Sequence, residues 1–183
     1  MGMRYAAYAL GSVSLAWATI DISGYSINQV TGRSMQPTLN PNSYTTINGK
    51  PKISNTLDWV LISKAEGSNI CKGEIVTIHN PVVPTDNDIK RVIATENELV
   101  KTKSYKNRLL VVPQGYIWVE GDNQAISKDS NCYGPLPASL VFGKAVAIVF
   151  PPWRWQWLKP EMPQGSFHQL NASESSDRSI EEE

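Results

Sequence analysis

The chain predicts an all-β domain of short strands, barrel-like in outline, behind an N-terminal transmembrane helix. Runs rich in β-branched and aromatic residues recur along its middle, each bounded by Gly, Pro, Asn or Asp. The twelve prolines fall mostly between or after those runs, which suits strands joined by rigid turns rather than long helices. Ahead of them lies an uncharged, Ala-rich stretch that ends at Asp21. These features divide the 183 residues into a membrane anchor at 1–30, a β-rich domain at 31–160 and an acidic tail at 161–183.

The anchor runs over residues 5–20, with Ala, Leu, Val and Trp and no charge. Its sixteen residues fall short of the ~20 that cross a bilayer, and the polar but uncharged stretch 22–30 lengthens it. One transmembrane helix is therefore expected, with an amphipathic or buried helix as the alternative. A cleaved secretory signal fits less well, because no small-residue cleavage site ends the apolar core. Strands are expected over 59–64, 74–79, 89–94, 108–112, 116–120 and 141–150, separated by signals such as Lys72-Gly73, Asn80-Pro81 and Pro113-Gln114-Gly115. Next, Trp153, Arg154, Trp155 and Trp157 crowd five consecutive positions. They are expected at a membrane interface, where indoles prefer to sit, with closure of the barrel's apolar edge as the alternative. Residues 171–183 hold five acidic residues and one arginine, and a segment so poor in apolar groups is expected to be disordered and dispensable for activity.

Apolar residues make up 41% of the chain and charged residues 19%, a globular composition that excludes a wholly disordered protein. The net charge of zero conceals a mildly basic body, with sixteen basic and twelve acidic residues before residue 171. That is the ordinary surface of a small domain, and it also suits acidic lipid headgroups. No helix-turn-helix segment or strongly basic face is present, so nucleic acid is excluded as a partner. Cys71 and Cys132 are too few for a disulfide framework, and free buried thiols are expected. No metal and no other cofactor is assigned.

His79 and His168 are the chain's only histidines, and both read as surface or turn residues. A serine nucleophile then needs a different proton acceptor, and lysine is the natural substitute. A free lysine titrates near about 10.4, so a working value of about 7 to 8 calls for burial beside apolar groups. Lys90 meets that demand, because two-residue alternation places it with Val92 and Ala94 on one face of a strand, opposite Ile89, Arg91 and Ile93. Ser34 lies between Gly32-Arg33 and Pro37, a loop setting that exposes a hydroxyl and a backbone NH together. A further segment, 121–134, is by itself a polar, turn-rich loop.

Four segments in order resemble the type I signal peptidase family. They are Ser34-Met35-Gln36-Pro37-Thr38-Leu39, Lys72-Gly73-Glu74-Ile75-Val76, Lys90-Arg91-Val92, and Gly121-Asp122-Asn123 with Ser127-Lys128-Asp129-Ser130. Asn131, where bacterial members usually carry arginine, then Tyr133-Gly134-Pro135 and the closing Pro151-Pro152-Trp153-Arg154-Trp155 resemble the mitochondrial inner membrane branch of the family, and within it the second of two subunit types. The resemblance implies that Ser34 is the nucleophile and Lys90 the general base. It implies that Ser127 holds the Lys90 ammonium by a hydrogen bond, that Asp129 fixes the chain behind the dyad, and that Met35 packs over the lysine stem.

It further implies a serine endopeptidase that removes sorting presequences from precursors reaching the mitochondrial intermembrane space. Such an enzyme is anchored in the inner membrane with Arg4 in the matrix and its catalytic domain in the intermembrane space, and works with a related subunit 1. Two positions depart from the family pattern. Gly32 stands where many bacterial members place a hydroxyl for the oxyanion, and Asn131 leaves Asp129 to find backbone or Asn partners. The other readings are a bacterial or plastid leader peptidase with the same dyad, and a non-catalytic subunit that stabilises a protease partner.

Overall fold

The computed structural model describes residues 20–22, 24–42, 44–47, 50–53, 56–64, 69–83 and 85–162. Strands dominate them: β1 (Ile20–Ile22), β2 (Tyr25–Gln29), β3 (Tyr44–Ile47), β4 (Lys50–Ile53), β5 (Trp59–Ser63), β6 (Ile75–His79), β7 (Asn87–Ala94), β8 (Leu99–Lys101), β9 (Leu109–Val111), β10 (Tyr116–Glu120), β11 (Leu136–Pro137), β12 (Val141–Phe150) and β13 (Gln156–Trp157). A single helical turn, α1 (Ser130–Tyr133), sits between β10 and β11.

Nine strands form one antiparallel sheet in the order β1-β2-β5-β12-β6-β7-β10-β11, with β13 also paired to β12; β3-β4 and β8-β9 are separate hairpins. Among the described residues β1 and β11 do not pair, so the expected barrel is a curled half-barrel with open edges. Much of the curl lies in β12. Its register against β5 shifts between Ala145 and Ala147 and again between Ile148 and Phe150, and against β6 it shifts between Val141 and Gly143. Such bulges bend and twist a long strand instead of letting it run flat. Gly143 is required at the last bend, since a Cβ there would lie 2.5 Å from Ile62 Cγ2 and 2.9 Å from the Ser63 carbonyl oxygen.

The middle of the sheet is covered on both faces. Ile75 and Ile89 join Val30, Met35, Leu39, Val60, Ile62, Ala145 and Ile148 in one cluster. Val76, Ile78 and Val92 join Ile117, Val119, Leu136 and Val141 in another. A third gathers Ile93, Ala94, Val100, Val112 and Trp118. At the centre of the sheet the period of two separates Ile75 and Ile89 from Val76, Ile78 and Val92 into different clusters, while at the end of β7 both Ile93 and Ala94 join the third.

The predicted strands at 116–120 and 141–150 coincide with β10 and β12, and the other four lie within one or two residues of β5, β6, β7 and β9. The stretch 22–30 does not prolong a membrane helix. It enters β2, which pairs with β5 along its length and buries Ser26 and Asn28. Polar residues on the inward face gave β2 no hydrophobic alternation to read. Among the described residues no helix is long and apolar enough to cross a membrane, and residues 5–19 of the expected span, like the tail 163–183, lie outside them. Cys71 and Cys132 are free but exposed rather than buried. Trp153, Trp155 and Trp157 are 75%, 58% and 61% exposed, so they do not close an apolar edge.

Candidate active site

Ser34 sits in a tight loop between β2 and β3. Two buried side chains pin it, Met35 and Leu39 (1% and 0% exposed), and the Leu39 NH donates to the Met35 carbonyl at 2.9 Å. These anchors leave Ser34 half-buried at the loop's crest. From the far side, the Asn123 NH donates to the Ser34 carbonyl at 2.8 Å.

Lys90 comes from β7, where it pairs with Val76 of β6. It is 2% exposed. Its Nζ lies 3.2 Å from Ser34 Oγ, 3.3 Å from the Ile89 carbonyl oxygen and 3.9 Å from Asp88 Oδ1. Burial pushes the Lys90 pKa down from its ordinary value, against the opposing pull of the Asp88 and Asp129 carboxylates. Proximity to a hydroxyl and a pKa lowered by burial are the two properties a lysine base needs.

The loop after β10 forms the back wall. Asp129 is 3% exposed and caps α1: its Oδ1 accepts from Asn131 N at 3.1 Å and Asn131 Nδ2 at 3.2 Å, and its Oδ2 from Gly121 N at 3.0 Å. Backbone and Asn131 thus take the place of an arginine. At Gly121 a Cβ would lie 2.4 Å from both Ser127 Oγ and the Ser34 carbonyl oxygen, so this position has no room for a side chain. Ser127 Oγ is buried here but makes no hydrogen bond, so the expected bond to Lys90 is not formed. Met35 lies in the same apolar cluster as Ile89, whose side chain occupies the β7 face opposite Lys90. At Gly32 a Cβ would meet nothing within 4 Å, so this side of the loop is open.

A network absent from the sequence reading ties all four motifs together. Arg91, on the β7 face opposite Lys90, forks onto Asp122: Nε donates to Oδ1 at 2.8 Å and one terminal nitrogen to Oδ2 at 2.7 Å. The other terminal nitrogen donates to the Gly73 and Glu161 carbonyls, each at 2.9 Å. Thr38 Oγ1 donates to Asp122 Oδ2 at 2.5 Å. The serine, Lys-Gly-Glu, lysine and Gly-Asp-Asn segments therefore meet at one guanidinium. Its signal was legible, because an arginine on an apolar strand face needs a buried acceptor.

The family model described as "Signal peptidase, peptidase S26" matches residues 3–111 and 95–150. The chain belongs to the signal peptidase family, peptidase S26. Among family members it is 40% identical over 139 residues to "Mitochondrial inner membrane protease subunit 2" of Danio rerio, covering 75% of this chain and 70% of that protein. To the Saccharomyces cerevisiae protein of the same name it is 38% identical over 151 residues, covering 78% and 80%. "Mitochondrial inner membrane protease subunit 1" of Homo sapiens is 40% identical over 86 residues, covering 45% and 51%. The chain is thus a peptidase by family, and its relatives are proteases of the mitochondrial inner membrane.

Proposed function

We propose that this chain is a membrane-bound serine endopeptidase that cleaves sorting presequences from precursors reaching the mitochondrial intermembrane space, with Ser34 and Lys90 as its catalytic dyad. The observation that carries the reading is the 3.2 Å approach of a buried lysine amine to the serine hydroxyl. In the neutral form, Lys90 takes the Oγ proton as Ser34 attacks the scissile carbonyl. The ammonium then gives that proton to the departing amine. A water, deprotonated by the same lysine, hydrolyses the acyl-enzyme. The Ser34 backbone NH is the oxyanion donor, and the open space beside Gly32 leaves the substrate carbonyl room to approach.

Supporting roles follow from position. Asp129 holds Gly121 and the turn behind the dyad, and Met35, buried beside Ser34, anchors the serine loop and is the group assigned to cover the lysine stem. Ser127 carries a buried hydroxyl with no other partner and is the group assigned to the Lys90 ammonium once the proton has moved. The exposed indoles of Trp153, Trp155 and Trp157 suit contact with the lipid interface. The names of the relatives support residence in the mitochondrial inner membrane and work beside a related subunit 1. In this reading the catalytic domain faces the intermembrane space.

The test is cleavage of a panel of intermembrane-space precursors by reconstituted membranes carrying wild type, Ser34→Ala or Lys90→Met, with partner-subunit abundance followed in the same samples. Both substitutions are expected to abolish processing of a subset while the partner persists. Processing that survives both would instead make this a scaffold for its partner.

A further inference from the structure

Arg154 follows β12 at the end of a short 3-10 turn, Pro152–Arg154. The tryptophans on either side point outward, but the Arg154 side chain turns in and is only 24% exposed. Its guanidinium makes three bonds: Nε to Asp58 Oδ1 at 2.8 Å, and one terminal nitrogen to Asp58 Oδ2 at 2.9 Å and to the Thr38 carbonyl at 3.0 Å.

Asp58 is 1% exposed and stands just before β5. Its Oδ2 accepts from Asn40 N at 2.6 Å, its own NH donates to Asn40 Oδ1 at 2.7 Å, and its carbonyl accepts from Val30 N at 2.8 Å. Asn40 holds a left-handed backbone, φ 53°, that asparagine tolerates. That conformation accompanies an Nδ2 that donates back to the Val30 carbonyl at 2.5 Å and the Gly32 carbonyl at 3.4 Å. Both ends of the loop carrying Ser34 are therefore tied to one residue, the Val30 end to the Asp58 carbonyl and Asn40 to its carboxylate, and that carboxylate is held by Arg154. Thr38, four residues past Ser34, is gripped twice, by Asp122 through its hydroxyl and by Arg154 through its carbonyl.

We propose that Arg154 is a positioning residue for the nucleophile, acting from the C-terminal segment through Asp58, Asn40 and the Thr38 carbonyl to fix where Ser34 Oγ stands against Lys90. This rests on Ser34 being the nucleophile. A lysine at 154 can neutralise Asp58, but a point donor cannot hold both carboxylate oxygens and the Thr38 carbonyl as the planar fork does. Charge and position are thereby separable.

The experiment measures kcat and KM for precursor cleavage, with melting temperature, in reconstituted membranes holding the full chain and its partner subunit. The variants are Ser34→Ala, Arg154→Lys, Arg154→Met and the double Arg154→Met/Asp58→Asn. Arg154→Lys is expected to keep its melting temperature and its KM to within about twofold, while kcat falls roughly ten- to a hundredfold, the scale on which small misplacements act. Arg154→Met loses kcat and melting temperature together, and the double variant regains the melting temperature, because no buried carboxylate is left unpaired, without regaining kcat. Wild-type kcat in Arg154→Lys, or a kcat that returns with the melting temperature in the double variant, overturns the proposal while leaving the dyad in place. Cleavage that persists in Ser34→Ala removes the nucleophile reading and this inference with it.

Discussion

Asp88→Asn removes the charge that most directly opposes deprotonation of Lys90. The carboxylate Oδ1 is 3.9 Å from Nζ, and the Asp88 side chain is 27% exposed against 3% for the lysine. At that distance a pair is worth about 4 kcal/mol in a surface-like dielectric and about 1 kcal/mol in water. Partial hydration of Asp88 holds the loss towards the lower figure, about 1 to 2 kcal/mol, or roughly a factor of ten in the equilibrium between ammonium and amine. The sign follows from the causes: burial lowers the Lys90 pKa and Asp88 raises it. Without the carboxylate the amine is favoured further, and the acidic limb of kcat/KM moves to lower pH. At a fixed pH on that limb the variant is expected to cleave about tenfold faster, with a smaller change on the plateau. Asparagine is nearly isosteric and keeps an oxygen for the Asn80 side chain, which donates to Asp88 at 2.9 Å, so the local fold is retained. The assay is the pH profile of precursor cleavage from about pH 5 to about pH 9. An acidic limb that stays put, or moves to higher pH, would falsify the assignment of Lys90 as the titrating base.

Lys90→Met should abolish cleavage yet raise the melting temperature at neutral pH. The folded pKa lies below the unfolded value of 10.5, so the unfolded chain binds more protons and wild-type stability climbs as pH rises towards 10.5; the gap between variant and wild type should close over that window in calorimetric scans, and a constant gap would count against it. Arg91→Met or Asp122→Ala strands one member of a pair whose side chains are 6% and 4% exposed, and each should cost about 3 to 5 kcal/mol in denaturant titrations; losses under about 1 kcal/mol would show that the pair is not a structural hub. Gly121→Ala forces a methyl to within 2.4 Å of the Ser34 carbonyl and should cost about 1 to 3 kcal/mol and most of the activity, whereas Gly32→Ala, with open space around it, should leave the melting temperature unchanged. Equal behaviour of the two glycine variants in thermal melts would contradict the close approach at Gly121.

Local pattern was enough to locate six strands and, with the ordered family motifs, to single out Ser34 and Lys90, which the structure brings to 3.2 Å. Tyr116–Glu120 and Val141–Phe150 were legible because apolar, β-branched runs bounded by turn residues carry their period within a few positions. Lys90 was legible for the same reason, as a charge sharing a strand face with the apolar Val92 and Ala94. Strands β2 and β8 were not. Ser26 and Asn28 fill inward positions of β2, and β8 spans three residues, Leu99–Lys101, too few to show a period. The hairpin β3-β4 did have a signal in Asn48-Gly49 between two short runs, which the apolar criterion passed over.

The sequence by itself determined where six of the strands and their turns fall and which serine and lysine are candidates, because local pattern and ordered motifs depend on neighbours in the chain. Only the tertiary structure decided that β12 lies between β5 and β6, that β7 brings Lys90 to Ser34 from 56 positions away, and that Arg91 finds Asp122 and Arg154 finds Asp58 across 31 and 96 positions. Those pairings depend on strand order and on the bulges that curl β12. A buried charge takes whichever partner that curl delivers, and no local period records it.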